Sequence, residues 1–246
     1  MIRAVTFDFW ETLIRERQGH MRTLHVDGWM RELTAAGAPR DRAAVDAAFS
    51  ASWEVFNRRW TDNPGQYGSA DATTYMCEHL GMERDDDLQA QLVDVFRQVG
   101  ETVDLELAPG IGECLEGLRA AGLGIGIVCD AGMTAGAELR GQLARHGVLA
   151  FFDAWSFSDE TGWFKPARQA FEPALRGLGI EDPSQVAHVG DNRRTDVAGA
   201  LGMGMLAVRY TGFRDASPGD GPEAPIVLDD HRDLAAALGI GRRRFT

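Results

Sequence analysis

Residues 2–8 read IRAVTFD, an apolar run that closes on a carboxylate. Such a run reads as a buried strand whose last residue emerges at the edge of a sheet. The next stretch of this kind is GLGIGIVCD at 122–130, and almost everything between them has helical texture. Segments 21–36, 40–60, 70–80 and 86–99 place apolar residues three and four apart, with breaks at Gly37, Pro39, Pro64, Gly65 and Gly81. No strand is expected between residues 20 and 100. After LAPG at 107–110 the texture alternates. Helices are expected over 111–121, 135–147, 167–178, 196–201 and 234–238. Strands are expected over 122–130, 151–156, 185–191 (QVAHVGD), 205–210 (MLAVRY) and 226–228 (IVL). Strands alternating with helices imply a parallel sheet covered on both faces. The chain thus reads as an α/β domain whose first strand is separated from the rest by an all-helical insertion. The segment 214–225, rich in Pro, Gly and Asp, reads as a surface loop.

Composition narrows the function classes. The chain has 246 residues, with 44% hydrophobic and 25% charged, which suits a folded domain with a substantial core. Lys and Arg total 25 against 37 Asp and Glu, a formal charge of −12. That balance argues against nucleic-acid or anionic-membrane partners. No apolar run approaches the ~18 residues of a membrane span, and the N-terminus lacks a targeting pattern. Cys77, Cys114 and Cys129 are odd in number and show no CxxC spacing, so free thiols in the cytoplasm are expected. Of the 25 basic residues, Lys165 alone is lysine.

In open α/β sheets ligands bind beyond the carboxyl ends of the strands. The polar groups at those ends are Asp8, Cys129 with Asp130, Lys165, and Asp191 with Asp196. Carboxylates gathered at the edge of a buried sheet repel one another unless a cation lies among them. A hard divalent ion such as Mg²⁺ meets that need, with Lys165 as a second positive charge beside Asp8.

These four segments, in order, resemble the motifs of the haloacid dehalogenase (HAD) superfamily. FDFWETL (7–13) resembles the nucleophile loop, and IVCDAGMT (127–134) occupies the strand that normally ends in Ser or Thr. SDETGWFKP (158–166) resembles the lysine motif, and VGDNRRTDVAGALGMGM (189–205) the acidic metal motif. The resemblance covers essentially the whole chain. It implies a Rossmann-like core over 1–15 and 105–246 with a helical cap inserted over 16–104. It also implies a nucleophile at Asp8, oriented by Lys165, and Mg²⁺ held by Asp8, the Trp10 carbonyl, Asp191 and Asp196. Cys129, Asp130 and Ala131 would face the transferring group, and Trp10 and Thr12 would contact substrate. Apart from the resemblance, Arg58 in SWEVFNRRW (52–60) is a candidate to face an anionic substrate.

Two departures stand out. Phosphatases of the superfamily carry a second Asp two residues after the nucleophile, acting as acid and base, and here that residue is Trp10. An indole N–H does not exchange a proton at neutral pH. Cys129 replaces a hydroxyl with a weaker donor. His20, His25, Glu11 and Glu16 are candidates to supply the missing acid.

The expected activity is hydrolysis or transfer of a phosphoryl group on a small metabolite, by a monomer or homodimer. Dehalogenases of the superfamily carry an aromatic where Trp10 stands, but they need no metal, which the Asp191 and Asp196 pair argues for. A non-catalytic relative, with Trp10 plugging the site, is the other alternative. Plainer roles stand beside these: Asp196 as a helix N-cap, Cys129 and His188 as core residues, and Trp53, Phe56 and Trp60 as a bundle stripe. The tail GRRRF (241–245) reads as a solvated end.

Overall fold

A computed structural model describes residues 1–17, 19–62 and 65–240. The tail GRRRF and the break at Pro64 lie outside the described residues. The chain divides into two compact units. One comprises Met1–Arg15, Glu106–Asp130 and Leu143–Thr246, and the other Glu16–Leu105 and Ala131–Gln142.

The first unit is built on β1 (Ala4–Phe7), all four residues of which are buried. The chain then forms β2 (Ile14–Glu16) and, after the helical unit, β3 (Leu105–Leu107), which pair as a two-stranded ribbon. The remaining strands are β4 (Gly124–Cys129), β5 (Ala154–Phe157), β6 (Val186–Gly190), β7 (Leu206–Tyr210) and β8 (Ile226–Leu228). With β1 they form a parallel sheet in the order β5-β4-β1-β6-β7-β8. Ala4 is in register with Gly124 on one side and Val186 on the other, so the first strand is central. β5 begins later than the sequence suggests, because Leu149–Phe151 forms a turn of 3-10 helix first.

Most helices of the α/β unit also follow the expected spacing. Ile111–Ala120, Arg168–Gly177, Ala198–Met203 and Leu234–Ala237 match expected segments, while the four-residue helix Ser158–Thr161, in the lysine motif, lies outside them. One face of the sheet packs Val128, Val186 and Ala207 against Ala170, Phe171, Ala174 and Ala200. The expected helix at 196–201 starts differently: Arg193–Val197 is a wide π turn before the α-helix Ala198–Met203. Segment 214–225 is more than a surface loop. Glu223 and Asp215 pair with Arg209, which is 4% exposed, and Glu223 also pairs with the buried Arg193.

The second unit contains α1 (His20–Ala35), α2 (Arg42–Asp62), α3 (Ser69–His79) and α4 (Asp86–Thr102). The α4 helix buries Leu88, Leu92, Val95, Phe96 and Val99, spaced three and four apart, and Asp85 caps it by accepting from the Leu88 N–H at 3.0 Å. Gly28 lets α1 approach α4: a Cβ there would lie 2.4 Å from Val95 Cγ1. Gly28→Ala is therefore expected to destabilise this unit by ~1–3 kcal/mol, read as a lower denaturant midpoint at unchanged m value.

Sequence texture assigns residues 131–142 to the α/β part, whereas they cluster with the helical unit. The cause is local. Gln142 donates to the carbonyls of Gly100 (2.7 Å) and Val103 (3.1 Å). The bare face of Gly100 receives Thr134 and Glu138, so a Cβ there would lie 2.9 Å from Thr134 Cγ2.

Candidate active site

The site is assembled within the α/β unit from residues that close β1, β4 and β6. Asp8 follows β1, and its backbone N–H extends the ladder to the Val189 carbonyl at 2.8 Å. The chain then turns sharply. The Phe9 carbonyl accepts from Leu13 (2.9 Å) and Ile14 (3.1 Å), and Glu11 takes a left-handed φ of 56°. Strain of this kind in a non-glycine residue collects at functional sites.

Lys165 reaches this point from the far side. Its Asp130-bound backbone N–H (2.9 Å) fixes the loop, and its Nζ donates to Asp8 Oδ1 (2.6 Å), Asp196 Oδ1 (2.6 Å) and the Val128 carbonyl (3.1 Å). An ammonium has three N–H groups, and each finds an acceptor here. Lys165, Asp8 and Asp196 are all buried.

Asp191 follows β6. Asn192 caps the π turn by accepting from the N–H groups of Arg194 and Thr195. That turn brings Asp196 back beneath the strand, where a Cβ on Gly190 would lie 2.2 Å from Asp196 Cγ. Asp196 is not the N-cap. Its Oδ2 accepts from the Asn192 N–H (3.0 Å), and its Oδ1 takes both Lys165 and His188 Nε2 (3.2 Å). Asp8, Asp191 and Asp196 each offer an oxygen within 4.8 Å of the others.

The charges do not balance. Three buried carboxylates face one buried ammonium, and Arg214, half-exposed, adds a contact to Asp191 at 3.2 Å. Burial works against ionised Asp196, but Lys165 and His188 outweigh it and hold the carboxyl well below the usual range. Burial pushes Asp8 up, and Asp196 and Asp191 outweigh enough of the lysine's opposing pull to leave it raised. Burial likewise lifts Asp191 to about 7, with Asp196 adding to the effect. The unmet demand is for positive charge near Asp8 and Asp191. The hard oxygen donors present fit a divalent cation such as Mg²⁺.

The other expected site residues distribute differently. Cys129 closes β4 and is buried; burial, then Asp8, pushes its thiol well up, so it is a neutral group and not a nucleophile. Thr12, expected at substrate, is fully buried. It lies inside the turn, where its carbonyl accepts from His231 Nε2 at 2.8 Å, so its part is in holding the loop. Trp10 is half-buried with its ring edge-on to Phe9. Asp130 acts on the lysine loop through its carboxylate. Ala131 is buried and Arg58 is exposed on α2, both in the helical unit.

Of the candidate replacement acids, Glu11 is half-buried beside Trp10, and burial raises its pKa against Arg214 and Arg15. His25 is buried between Phe49 and Phe96, with its pKa lowered to about 4 by burial, which marks it as a core residue of the helical unit. Trp53 is exposed, while Phe56 stacks on Trp60, so only part of that stripe is core.

Residues 2–204 match the family described as haloacid dehalogenase-like hydrolase. The glyceraldehyde 3-phosphate phosphatase of Methanopyrus kandleri is 26% identical over 95% of this chain and 96% of its own. The pyrimidine 5′-nucleotidase YjjG of Escherichia coli is 34% identical over 39% of this chain and 41% of its own. Among solved structures, a 2-haloacid dehalogenase from Pseudomonas syringae has a TM-score of 0.70 at 21% identity, covering 97% of this chain and 99% of that one. A HAD phosphatase from Thermococcus onnurineus has a TM-score of 0.67 at 22% identity, covering 97% and 98%. These two likenesses show the fold, which phosphatase and dehalogenase share.

Proposed function

From the premise that the chain belongs to the haloacid dehalogenase-like hydrolases, we propose that it is a Mg²⁺-dependent phosphatase or phosphotransferase acting on a small phosphorylated metabolite through an aspartyl-phosphate at Asp8. The observation that carries this reading is the charge imbalance: oxygens of Asp8, Asp191 and Asp196 lie within 4.8 Å of one another, while the one ammonium pairs with Asp8 and Asp196 alone. A metal-free halide displacement would leave buried Asp191 beside its own nucleophile with only the exposed Arg214 side chain to offset it. Relatives named as phosphatases, one aligned over nearly the full chain, support the same choice.

Asp8 and Asp191 would hold the ion together with the Trp10 carbonyl, since the oxygens of Asp196 already accept from Lys165, His188 and Asn192. When bound, Mg²⁺ supplies neutralisation of charge on phosphoryl oxygens. Lys165 binds Asp8 Oδ1 and leaves Oδ2 to attack phosphorus. The P–O bond to the leaving group breaks as the Asp8–phosphorus bond forms, and water then releases phosphate. Phosphoryl transfer of this kind depends mainly on positioning and electrostatics.

Trp10 sets the kinetic signature. Without a proton donor at that position, leaving groups that need no protonation are favoured. Wild type is expected to release phosphate from acetyl phosphate and p-nitrophenyl phosphate in Mg²⁺ and not in EDTA. Trp10→Asp should raise turnover of an unactivated alkyl phosphate by ~10²-fold and change the activated substrates far less. Halide release from 2-chloropropionate without metal would select dehalogenation instead. Absence of both products would favour a binding protein.

A further inference from the structure

Thr6 on β1 and His188 on β6 are register partners in the sheet, and both are buried. Thr6 Oγ1 lies 2.9 Å from His188 Nδ1, while Nε2 of the same ring lies 3.2 Å from Asp196 Oδ1. Phe171 packs edge-on against the imidazole at 5.1 Å and 78°, which fixes the ring plane. A hydroxyl, an imidazole, a carboxylate, an ammonium and a second carboxylate thus run without a break from Thr6 to Asp8.

The proton positions in this chain follow from its acceptors. Asp196 is ionised against Lys165 and has no proton to give, so the group facing it must be a donor. His188 Nε2 therefore carries the hydrogen, Nδ1 is left as an acceptor, and the Thr6 hydroxyl donates to it. The other tautomer would point a nitrogen lone pair at a carboxylate oxygen inside the protein core.

We propose that Thr6 and His188 are positioning residues for the phosphoryl-transfer site, Thr6 selecting the Nε2–H tautomer and His188 anchoring Asp196 so that Lys165 stays centred on Asp8 Oδ1. This rests on the functional reading above. With Asp196 held by donors from β6, the π turn and the lysine loop, the ammonium has one position in which all three of its N–H groups are used. Without His188, Asp196 Oδ1 is held by Lys165 alone, and the lysine's bond to Asp8 competes with the drift of its other partner.

The pair is tested on the full-length protein in two ways. In the ¹⁵N-histidine spectrum of the wild type, His188, assigned by its loss in His188→Leu or His188→Gln, should show a protonated Nε2 and a bare Nδ1. In Thr6→Val the Nδ1 shift should move towards the protonated form, and Thr6→Ser should keep the wild-type pattern. With p-nitrophenyl phosphate and Mg²⁺, His188→Leu is expected to lower kcat by ~10–100-fold with KM within about twofold, the size usual for orienting partners. His188→Gln, which keeps a donor towards Asp196, should recover most of that loss. A wild-type Nδ1–H tautomer overturns the proposal, as does a His188→Leu enzyme of wild-type kcat or a Gln variant as impaired as Leu. If wild type releases no phosphate, the functional reading fails, and the spectra still decide the tautomer and its dependence on Thr6.

Discussion

Replacing Asp8 by asparagine is expected to abolish turnover and, in the same variant, to raise the melting temperature of the metal-free protein at neutral pH. Loss of a nucleophile should lower kcat by at least about 10⁴-fold. The gain in stability comes from the same geometry. Asparagine can still accept from Lys165, and it removes one of three like charges that burial and mutual repulsion make costly. The pH dependence fixes the sign. Asp191 ionises near 3.8 in the unfolded chain and at about 7 in the folded one. Between those values the folded state retains a proton that the unfolded state releases, so stability falls as pH rises through that window. Asp8 acts in the same direction. The metal-free wild type should therefore lose a few kcal/mol between about pH 4 and 7 from this cluster. Asp8→Asn should lose less, and Mg²⁺ should stabilise wild type at pH 7.5 much more than at pH 5, where protons compete for the ligands. Thermal melts of both proteins across that range check this, and identical pH dependence would remove the like-charge account.

Lys165→Met carries the second large effect. It deletes the one ammonium shared by Asp8 and Asp196, both nearly inaccessible, and leaves their charges facing each other. Breaking a buried ion pair from one side costs ~3–5 kcal/mol, and the lost orientation of Asp8 should lower kcat by about 10³-fold or more. Lys165→Arg separates charge from shape. A guanidinium keeps the charge, but its planar fork cannot direct three N–H groups from one nitrogen at Asp8, Asp196 and the Val128 carbonyl. Arg is therefore expected to keep most of the stability that Met loses while recovering little of the rate. Denaturant titration alongside steady-state kinetics reads both, and an Arg variant with wild-type kcat would show that charge alone suffices.

How far the sequence spoke for itself depended on the kind of information each residue carries. Asp8, Asp191 and the lysine segment were legible because each ends an apolar run or a motif, and the strand that precedes them decides where they emerge. The β2–β3 ribbon was not, since strands of three residues hold too little periodicity to register. His188 read as core, and it is buried as core residues are, but its hydrogen bonds come from Thr6 and Asp196, one of them 182 residues away. Nothing local signals such a pairing. Arg214 sits in a segment that reads as plain loop, and only the folded chain brings it to Asp191. Residues 131–142 follow a core strand, and their attachment to the helical unit depends on Gln142 finding the carbonyls of Gly100 and Val103. Cys129 was legible as a small core residue closing a strand: it is buried, and burial pushes its thiol up.

The single lysine has one more consequence. Its side chain is 2% exposed, and the other basic side chains of the chain are guanidinium groups. The folded protein therefore presents no ε-amine to solvent. Amine-directed acylating reagents and cross-linkers, and any modification written on lysine, meet no ε-amine on its surface. Acylation of Lys165 becomes a clock for the opening of the α/β unit, because the amine that pairs with Asp8 and Asp196 is also the one that only an opened structure can expose.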